Sequence, residues 1–321
     1  MALTEEQYSE MLAIEAFIRR AAEVDLPFML KGSYVTRQYL ANPMDRFAND
    51  IDWVYMNSLH DLEDAKKQLD QWAVAVTETF SNDRVKFRSF TENAFWRNIE
   101  YGMSDDFPTV NTDIFCWVNG NGGEEFRMDV SFNLDIEPGP VPLLYKPLEG
   151  EPFLLKYTCP LSLQVSWKLH QTIVRPRYKD VFDLIHLLQH PSFDYNTLQE
   201  ALQALVNECH ADKVSVKVLD WYVSGRAVTY FRYKESVMSL QSKDFLQLQE
   251  EMKNTKGLAE IDLQYAKWVS PIPAPTKQSD LLEHFRLVLN NAGFTSDLLQ
   301  HLPAPTKNKR RGYNTRGGED W

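Results

Sequence analysis

The sequence has few cysteines and no long apolar run, and both absences narrow what the chain can be. Its 321 residues include three cysteines, Cys116, Cys159 and Cys209, which are odd in number and form no CxxC pair. This usage argues against a disulfide framework or a cysteine zinc site and favours reduced thiols. No stretch approaches the roughly 20 apolar residues needed to cross a bilayer, and the N-terminus lacks the segments of a signal peptide. We therefore expect a cytoplasmic protein without membrane contact.

Positively charged residues are also fewer than negatively charged ones. The chain has 34 Lys and Arg residues against 45 Asp and Glu residues, which gives a net charge of −11 at pH 7. A protein that coats nucleic acid non-specifically needs the opposite balance, although a local basic patch could still dock one RNA. The 44% hydrophobic content supplies a packed core, and the length predicts two domains of roughly 150 residues each.

The spacing of apolar residues predicts a mixed first part and a helical second part. Helices are expected at 5–24, 34–41, 59–79, 160–174, 178–190, 195–210, 242–254 and 279–293, and strands at 50–55, 84–90, 94–101, 111–118 and 124–136. The strands after residue 80 follow one another too closely for crossover helices, so the sheet should be mixed.

Prolines and glycines between residues 138 and 152 predict a domain boundary. We expect an α+β domain over 1–150, with a mixed β-sheet flanked by helices, and a helical domain over 151–270. The remaining residues, 271–321, should form a linker, short helices and a disordered basic tail. An alternative interpretation makes this tail an arm that contacts RNA phosphates.

Two aspartates, one residue apart, stand inside a run that otherwise predicts a buried strand. In "NDIDWVY", Asp50 and Asp52 alternate with Ile51, Trp53 and Tyr55, so a strand would point both carboxylates to one face. Two like charges this close destabilise each other unless a cation offsets them. The pair therefore predicts a divalent metal site with Mg²⁺, or Mn²⁺, as the expected ion.

A glycine and a small hydroxyl residue precede this strand. In "LKGSYVTRQY", Gly32 and Ser33 follow a short apolar strand and open a short helix. Gly32 permits a tight turn and a close approach by a ligand, and the helix start offers N–H groups to a phosphate. A phosphate-binding turn and a carboxylate pair together are what metal-assisted phosphoryl or nucleotidyl transfer requires. The alternative interpretation places Asp50 and Asp52 on a solvent-facing edge with a salt bridge to Arg46.

The string "KGSYVTRQY" followed by "RFANDIDW" resembles the signature of the nucleotidyltransferases of the DNA polymerase β superfamily. The later segment "SLQVSWKLHQTIVRPRYKDVFDLIHLL" resembles motifs of the AbiEii-type toxins, which are nucleotidyltransferases of type IV toxin–antitoxin systems. Four motifs stand in the expected order over residues 25–190. The resemblance implies a minimal nucleotidyltransferase domain followed by a helical domain that completes the active site.

The first two motifs imply roles for five residues. Gly32 and Ser33 match the phosphate-binding turn, and Arg37 matches the basic residue that follows it, so all three are expected to bind nucleotide. Asp50 and Asp52 match the catalytic metal ligands. The gap between Ser33 and Asp50 is longer than in compact members of the superfamily, which predicts an extra loop at "LANPMDR".

The later motifs imply further roles. Lys168 matches a lysine that is both catalytic and nucleotide-binding, since a compact ammonium suits NTP phosphates and the leaving pyrophosphate. Asp180, expected to be catalytic, and Asp183, expected to bind nucleotide, match the D-x-x-D motif and share one helix face. A third metal ligand is expected on a neighbouring strand. We favour Asp129 in "FRMDVSF", with Asp113 in "NTDIFCW" as its rival.

The resemblance implies an enzyme that moves a nucleoside monophosphate from an NTP to an acceptor. RNA, and often tRNA, is the expected acceptor, and a cognate antitoxin is the expected protein partner in a toxin–antitoxin or phage-defence system. Two alternatives stay open. The enzyme could modify a protein or a small molecule, or the chain could be a non-catalytic module with this fold that binds a nucleotide or a partner.

Overall fold

The computed structural model describes residues 3–48, 50–99, 109–231 and 278–306. Within these ranges, residues 3–38 and 42–160 form a sheet unit, and residues 39–41 and 161–306 form a helical unit. The boundary between the units falls after Pro160, beyond the last strand of the sheet. The boundary predicted at residue 150 precedes that strand.

The sheet unit is built on one seven-stranded mixed sheet. Its strands are β1 (Phe28–Lys31), β2 (Asp50–Tyr55), β3 (Val85–Phe87), β4 (Thr109–Val118), β5 (Asn121–Phe132), β6 (Val141–Tyr145) and β7 (Phe153–Thr158). Their order across the sheet is β3-β4-β5-β2-β1-β7-β6. Strand β2 pairs parallel with β5 and antiparallel with β1, so it lies inside the sheet. The interpretation of β2 as a solvent-facing edge strand is therefore wrong.

Helices α1 (Glu5–Glu23), α2 (Ser33–Thr36) and α3 (Leu62–Glu78) complete this unit, with short 3-10 turns at Arg37–Tyr39, Pro43–Asp45 and Phe90–Asn93. The core lies where α1 and α3 cover the sheet. Phe17 meets Trp72 edge-on at a centroid distance of 5.6 Å and Trp53 at 6.5 Å. Trp72 stacks on Phe28 at 4.0 Å. This aromatic packing fixes the face of β2 that carries Trp53 and leaves Asp50 and Asp52 on the other.

The helical unit contains α4 (Leu161–Val174), α5 (Tyr178–Leu188), α6 (Tyr195–Ala211), α7 (Asp220–Val223) and α8 (Gln278–Asn291), with 3-10 turns at Val216–Leu219 and Leu298–Gln300. Its apolar core joins all of these elements and includes the fully buried Leu169, Leu184, Leu205, Phe285 and Phe294. In the parts of the chain that the structure describes, no helix is long and apolar enough to span a membrane.

The predicted fold class is confirmed: a mixed sheet flanked by helices precedes a helical C-terminal part. The predicted strand over 94–101 is wrong for its described residues, which form an irregular segment with a single bridge between Arg97 and Asn111. Two strands at one end of the sheet, β7 and the edge strand β6, were not predicted. The expected helix at 242–254 and the tail beyond residue 306 lie outside the described residues.

Candidate active site

The turn between β1 and α2 places the backbone directly against a carboxylate. Gly32 has a φ of 72°, a conformation that favours glycine. A Cβ at this position would lie 2.2 Å from Oδ2 of Asp52, so any side chain would have to displace that carboxylate. Thr36 donates its backbone N–H to the Gly32 carbonyl at 2.9 Å and closes α2. Because α2 spans only 4 residues, phosphate recognition here would depend on the turn rather than on a helix dipole.

Ser33 follows this turn and lies beside the first aspartate of β2. Its Oγ is 3.3 Å from the carbonyl oxygen of Asp50 and 3.4 Å from Asp50 Oδ1. Hydrogen bonds of this length are weak. The hydroxyl could therefore turn towards a phosphate oxygen without a large energetic loss.

Three carboxylates share one face of the sheet. Asp50 and Asp52 are half-buried on β2, and the parallel pairing with β5 sets Asp129 directly opposite Asp52. Asp113 also lies on this face, but on β4, where it pairs in register with Arg127 and accepts a 3.0 Å hydrogen bond from Arg97. The register thus puts Asp129 one strand closer to the aspartate pair than its rival.

Two cations neutralise these carboxylates. Lys31, at the end of β1, has its Nζ 3.6 Å from Oδ1 of Asp52, and Arg127 donates from Nε to Oδ1 of Asp129 at 2.9 Å. Burial raises the pKa of the Asp129 carboxyl, the charge of Asp52 raises it further, and Arg127 and Lys31 oppose both effects. Asp52 and Asp129 therefore repel each other across the paired strands, and Arg127 and Lys31 offset this repulsion in part.

The donor chemistry of this face fits a divalent cation held by two carboxylates. Among the described residues, no group of three His, Cys, Asp or Glu side chains is arranged to hold a metal ion. Asp129 bonds Arg127 instead of converging with the aspartate pair. Mg²⁺ needs only one or two protein carboxylates when substrate phosphates supply other ligands. Asp50 and Asp52, half-buried side by side, meet that requirement.

Arg37 does not lie on this face. Its side chain is 0% exposed, and its Nη1 donates to Oε1 of Glu15 at 2.7 Å. Its Nε donates to the Pro43 carbonyl at 3.0 Å, and Glu15 also accepts from the Tyr145 hydroxyl at 2.9 Å. The arginine thus ties α1 to the loop before β2, and its guanidinium is buried against Glu15.

A second cluster of predicted residues lies within the helical unit. Lys168 on α4 donates to Oδ2 of Asp183 on α5 at 2.7 Å, and its Nζ is 3.7 Å from Oδ1 of Asp180. Arg177, at the start of α5, donates to Asp180 at 2.6 Å. Asp183 is 0% exposed and Asp180 is 2% exposed. The two aspartates therefore hold the Lys168 ammonium in place, and the Lys168 side chain is 12% exposed.

The structure thus gathers the predicted residues into two clusters. The turn, Asp50 and Asp52 meet in the sheet unit, with Asp129 on the neighbouring strand. Lys168, Asp180 and Asp183 meet in the helical unit. Lys31 and Arg127 were not predicted from the sequence. Lys31 could have been found from its position next to Gly32. Arg127 could have been found from strand alternation, which places it on the same face of β5 as Asp129.

Comparisons with known proteins extend these observations. The family model described as "Nucleotidyl transferase AbiEii toxin, Type IV TA system" matches residues 17–288. No curated protein matches the chain. Similar solved structures include MenT4, a nucleotidyltransferase toxin from Mycobacterium tuberculosis H37Rv, with a TM-score of 0.49, 12% identity and coverage of 97% of this chain and 96% of that one. They also include a candidate nucleotidyltransferase from H. pylori, with a TM-score of 0.46, 14% identity and coverage of 93% and 98%.

Proposed function

The chain belongs to the AbiEii family of nucleotidyltransferase toxins, and from that premise we propose that it transfers a nucleoside monophosphate from an NTP to an RNA acceptor, tRNA being the first candidate. The family implies an NTP substrate, a divalent metal and a cognate antitoxin. The observation that supports the proposed site is the placement of Asp50 and Asp52 on one strand face against the Gly32 turn.

In the proposed site, Asp50 and Asp52 would hold Mg²⁺ or Mn²⁺, and Asp129 would be the third carboxylate available to it. The bound cation would neutralise phosphate oxygens and increase the electrophilicity of the α-phosphorus. Ser33 and the backbone of its turn bind the β- and γ-phosphates. An acceptor hydroxyl attacks the α-phosphorus and gives up its proton to solvent, the bond from that phosphorus to the bridging oxygen breaks, and pyrophosphate leaves.

The helical unit contributes a lysine to this proposal. The order of the sequence motifs supports a role for Lys168 in gripping NTP phosphates and stabilising the charge of the leaving pyrophosphate. Asp180 and Asp183 are too buried to contact a nucleotide. We therefore assign both to positioning the Lys168 ammonium, which they already bond.

Labelling tests the proposed reaction directly. Purified protein is incubated with Mg²⁺, total cellular RNA and each α-³²P-labelled NTP in turn, beside Asp52→Asn. We expect one NTP to label an RNA band with the intact chain and at least hundredfold less with Asp52→Asn. Asp129→Asn and Asp113→Asn form the matched pair, and only the former should reduce labelling strongly.

Other outcomes would redirect the proposal. Label in a protein band or a small molecule would replace the RNA acceptor. Mg²⁺-dependent NTP binding without transfer to any acceptor would favour the binding module. Equal labelling by folded Asp52→Asn would overturn the assignment of this aspartate to the metal.

A further inference from the structure

Lys31 is a cation within the carboxylate face rather than a surface residue. Its side chain is 16% exposed, and the antiparallel pairing of β1 with β2 sets it directly opposite Asp52. The separation of 3.6 Å between its Nζ and Oδ1 of Asp52 is an ion pair but not a hydrogen bond. The next residue along the chain is Gly32, so the ammonium lies beside the turn proposed to bind phosphates.

Arg127 holds the equivalent place on the other side of the aspartate pair. It lies opposite Asp50 in the parallel pairing of β2 with β5, and its Nε bonds Asp129 at 2.9 Å. The charges of Asp50, Asp52, Asp129, Lys31 and Arg127 sum to one negative charge. Adding a divalent cation to Asp50 and Asp52 would make the sum positive, and an NTP would then bring several negative charges to the same face.

A divalent ion on the aspartate pair would compete with the contact between Lys31 and Asp52. An ammonium 3.6 Å from an Asp52 oxygen would lie within a few ångströms of any ion on that carboxylate, where like charges repel strongly. The phosphates of the bound NTP are the new negative groups within reach of a long lysine or arginine side chain. Guanidinium and ammonium groups both bind phosphate oxygens well.

We propose that Lys31 and Arg127 act as exchangeable counter-cations. Without nucleotide they neutralise Asp52 and Asp129. When the metal and the NTP are bound, they leave the carboxylates and bind phosphate oxygens. This inference rests on the proposed function, and it adds two phosphate ligands to it.

Lys31→Met tests the exchange through two binding measurements that need no acceptor. The first is the affinity for Mn²⁺ alone, measured from the EPR signal of free Mn²⁺. The second is the affinity for a non-hydrolysable NTP analogue at saturating Mn²⁺, measured by calorimetry. Lys156→Met is the matched control, because Lys156 forms an exposed 2.8 Å ion pair with Asp25 in the same unit.

The exchange predicts opposite effects on the two ligands. Lys31→Met should bind Mn²⁺ alone about fivefold more tightly, because the competing ammonium is gone. It should bind the analogue at least about tenfold more weakly, because a charged phosphate ligand is lost. Lys156→Met should change neither affinity. Arg127→Gln, with Arg88→Gln at the exposed Arg88–Glu92 pair as its control, should repeat the pattern if Lys31→Met does not fold.

The outcomes separate this inference from the function on which it rests. Unchanged or weaker Mn²⁺ binding by both folded variants, or unchanged analogue binding, would overturn the exchange while the intact chain still binds both ligands. If the intact chain binds neither Mn²⁺ nor any NTP analogue, the proposed function itself fails.

Discussion

At the scale of single residues, Gly32 is where backbone conformation and proposed chemistry constrain each other most closely. Two separate features disfavour any other residue at this position. The first is its positive φ, and the second is the Asp52 carboxylate, which would lie 2.2 Å from a Cβ. Gly120 shares the first restriction, with a φ of 71°, but a Cβ there would have nothing within 4 Å. Alanine substitutions at the two glycines therefore separate the effect of backbone strain from the effect of displacing the Asp52 carboxylate.

We predict that Gly32→Ala abolishes most transfer activity, whereas Gly120→Ala does not. Both variants should lose about 1–2 kcal/mol of unfolding free energy from left-handed backbone strain. Only Gly32→Ala also displaces the Asp52 carboxylate, so its transfer rate should fall at least tenfold. Urea denaturation and initial transfer rates measure the two effects. Equal rates for the two variants would show that the Gly32 contact does not matter for activity.

At the scale of elements, helix α1 carries Glu10, a residue whose carboxyl pKa changes when the chain folds. Burial, together with the charges of Glu6, Asp50 and Glu124, raises the pKa of Glu10 to about 7. Between the ordinary pKa of the unfolded chain and about 7, the folded state holds a proton that the unfolded state has released. Stability from this group is therefore lost as pH rises through that window and stays low above it.

We predict that Glu10→Gln stabilises the protein at high pH and not at low pH. The gain should be near zero at pH 4.5 and about 1–2 kcal/mol at pH 8, a value already reduced because Glu10 is only half-buried. Urea midpoints at both pH values measure it. Glu200→Gln, at an exposed position in α6, controls for the loss of one surface charge. A gain that is the same at both pH values would contradict this account.

Helices α4 and α5 are joined by a buried ion pair. We predict that Asp183→Ala costs about 3–5 kcal/mol, because it leaves the Lys168 ammonium without its closest partner in a buried setting. The double variant Lys168→Met with Asp183→Leu should recover most of that loss. Chemical denaturation of Asp183→Leu, Lys168→Met and the double variant gives the coupling. A double variant as unstable as the sum of its parts would show that the two residues do not interact.

A helix or strand could be predicted from the sequence when its apolar residues all lie on its buried face. Helices α1, α3, α4, α5 and α6 follow the apolar periodicity because each buries one face. Strands β6 and β7 expose Leu144 and Leu154, each 58% accessible, so their apolar residues do not alternate with burial. The run from residue 94 contains strand-favouring aromatic residues, but Phe95 is 57% exposed and the chain turns there.

The site was predictable only where its signal is local. The turn and the aspartate pair are short strings, and both can be read from the sequence. The burial of Arg37 depends on Glu15, 22 residues away, and the pairing of Asp129 with Asp52 depends on strand register. Both are tertiary facts, and local motifs carry no information about them.

At the scale of the whole molecule, binding at a site within the sheet should stabilise the unit that the sheet builds. We predict that saturating Mn²⁺ with a non-hydrolysable NTP analogue raises the thermal midpoint by at least about 5 °C. Asp52→Asn should lose most of this shift. Differential scanning calorimetry with metal alone, analogue alone and both together measures it. An equal shift in Asp52→Asn would place the binding elsewhere.

The close approach of Gly32 to Asp52 also has a genetic consequence. Every glycine codon becomes an alanine codon through one base change, so the chain can be silenced without altering any charged residue. In a selection for bacteria that survive expression of this gene, codon 32 should recur among the escape alleles, and codon 120 should not. Such alleles would still yield folded protein, so the silenced chain could be produced in cells that lack the cognate antitoxin.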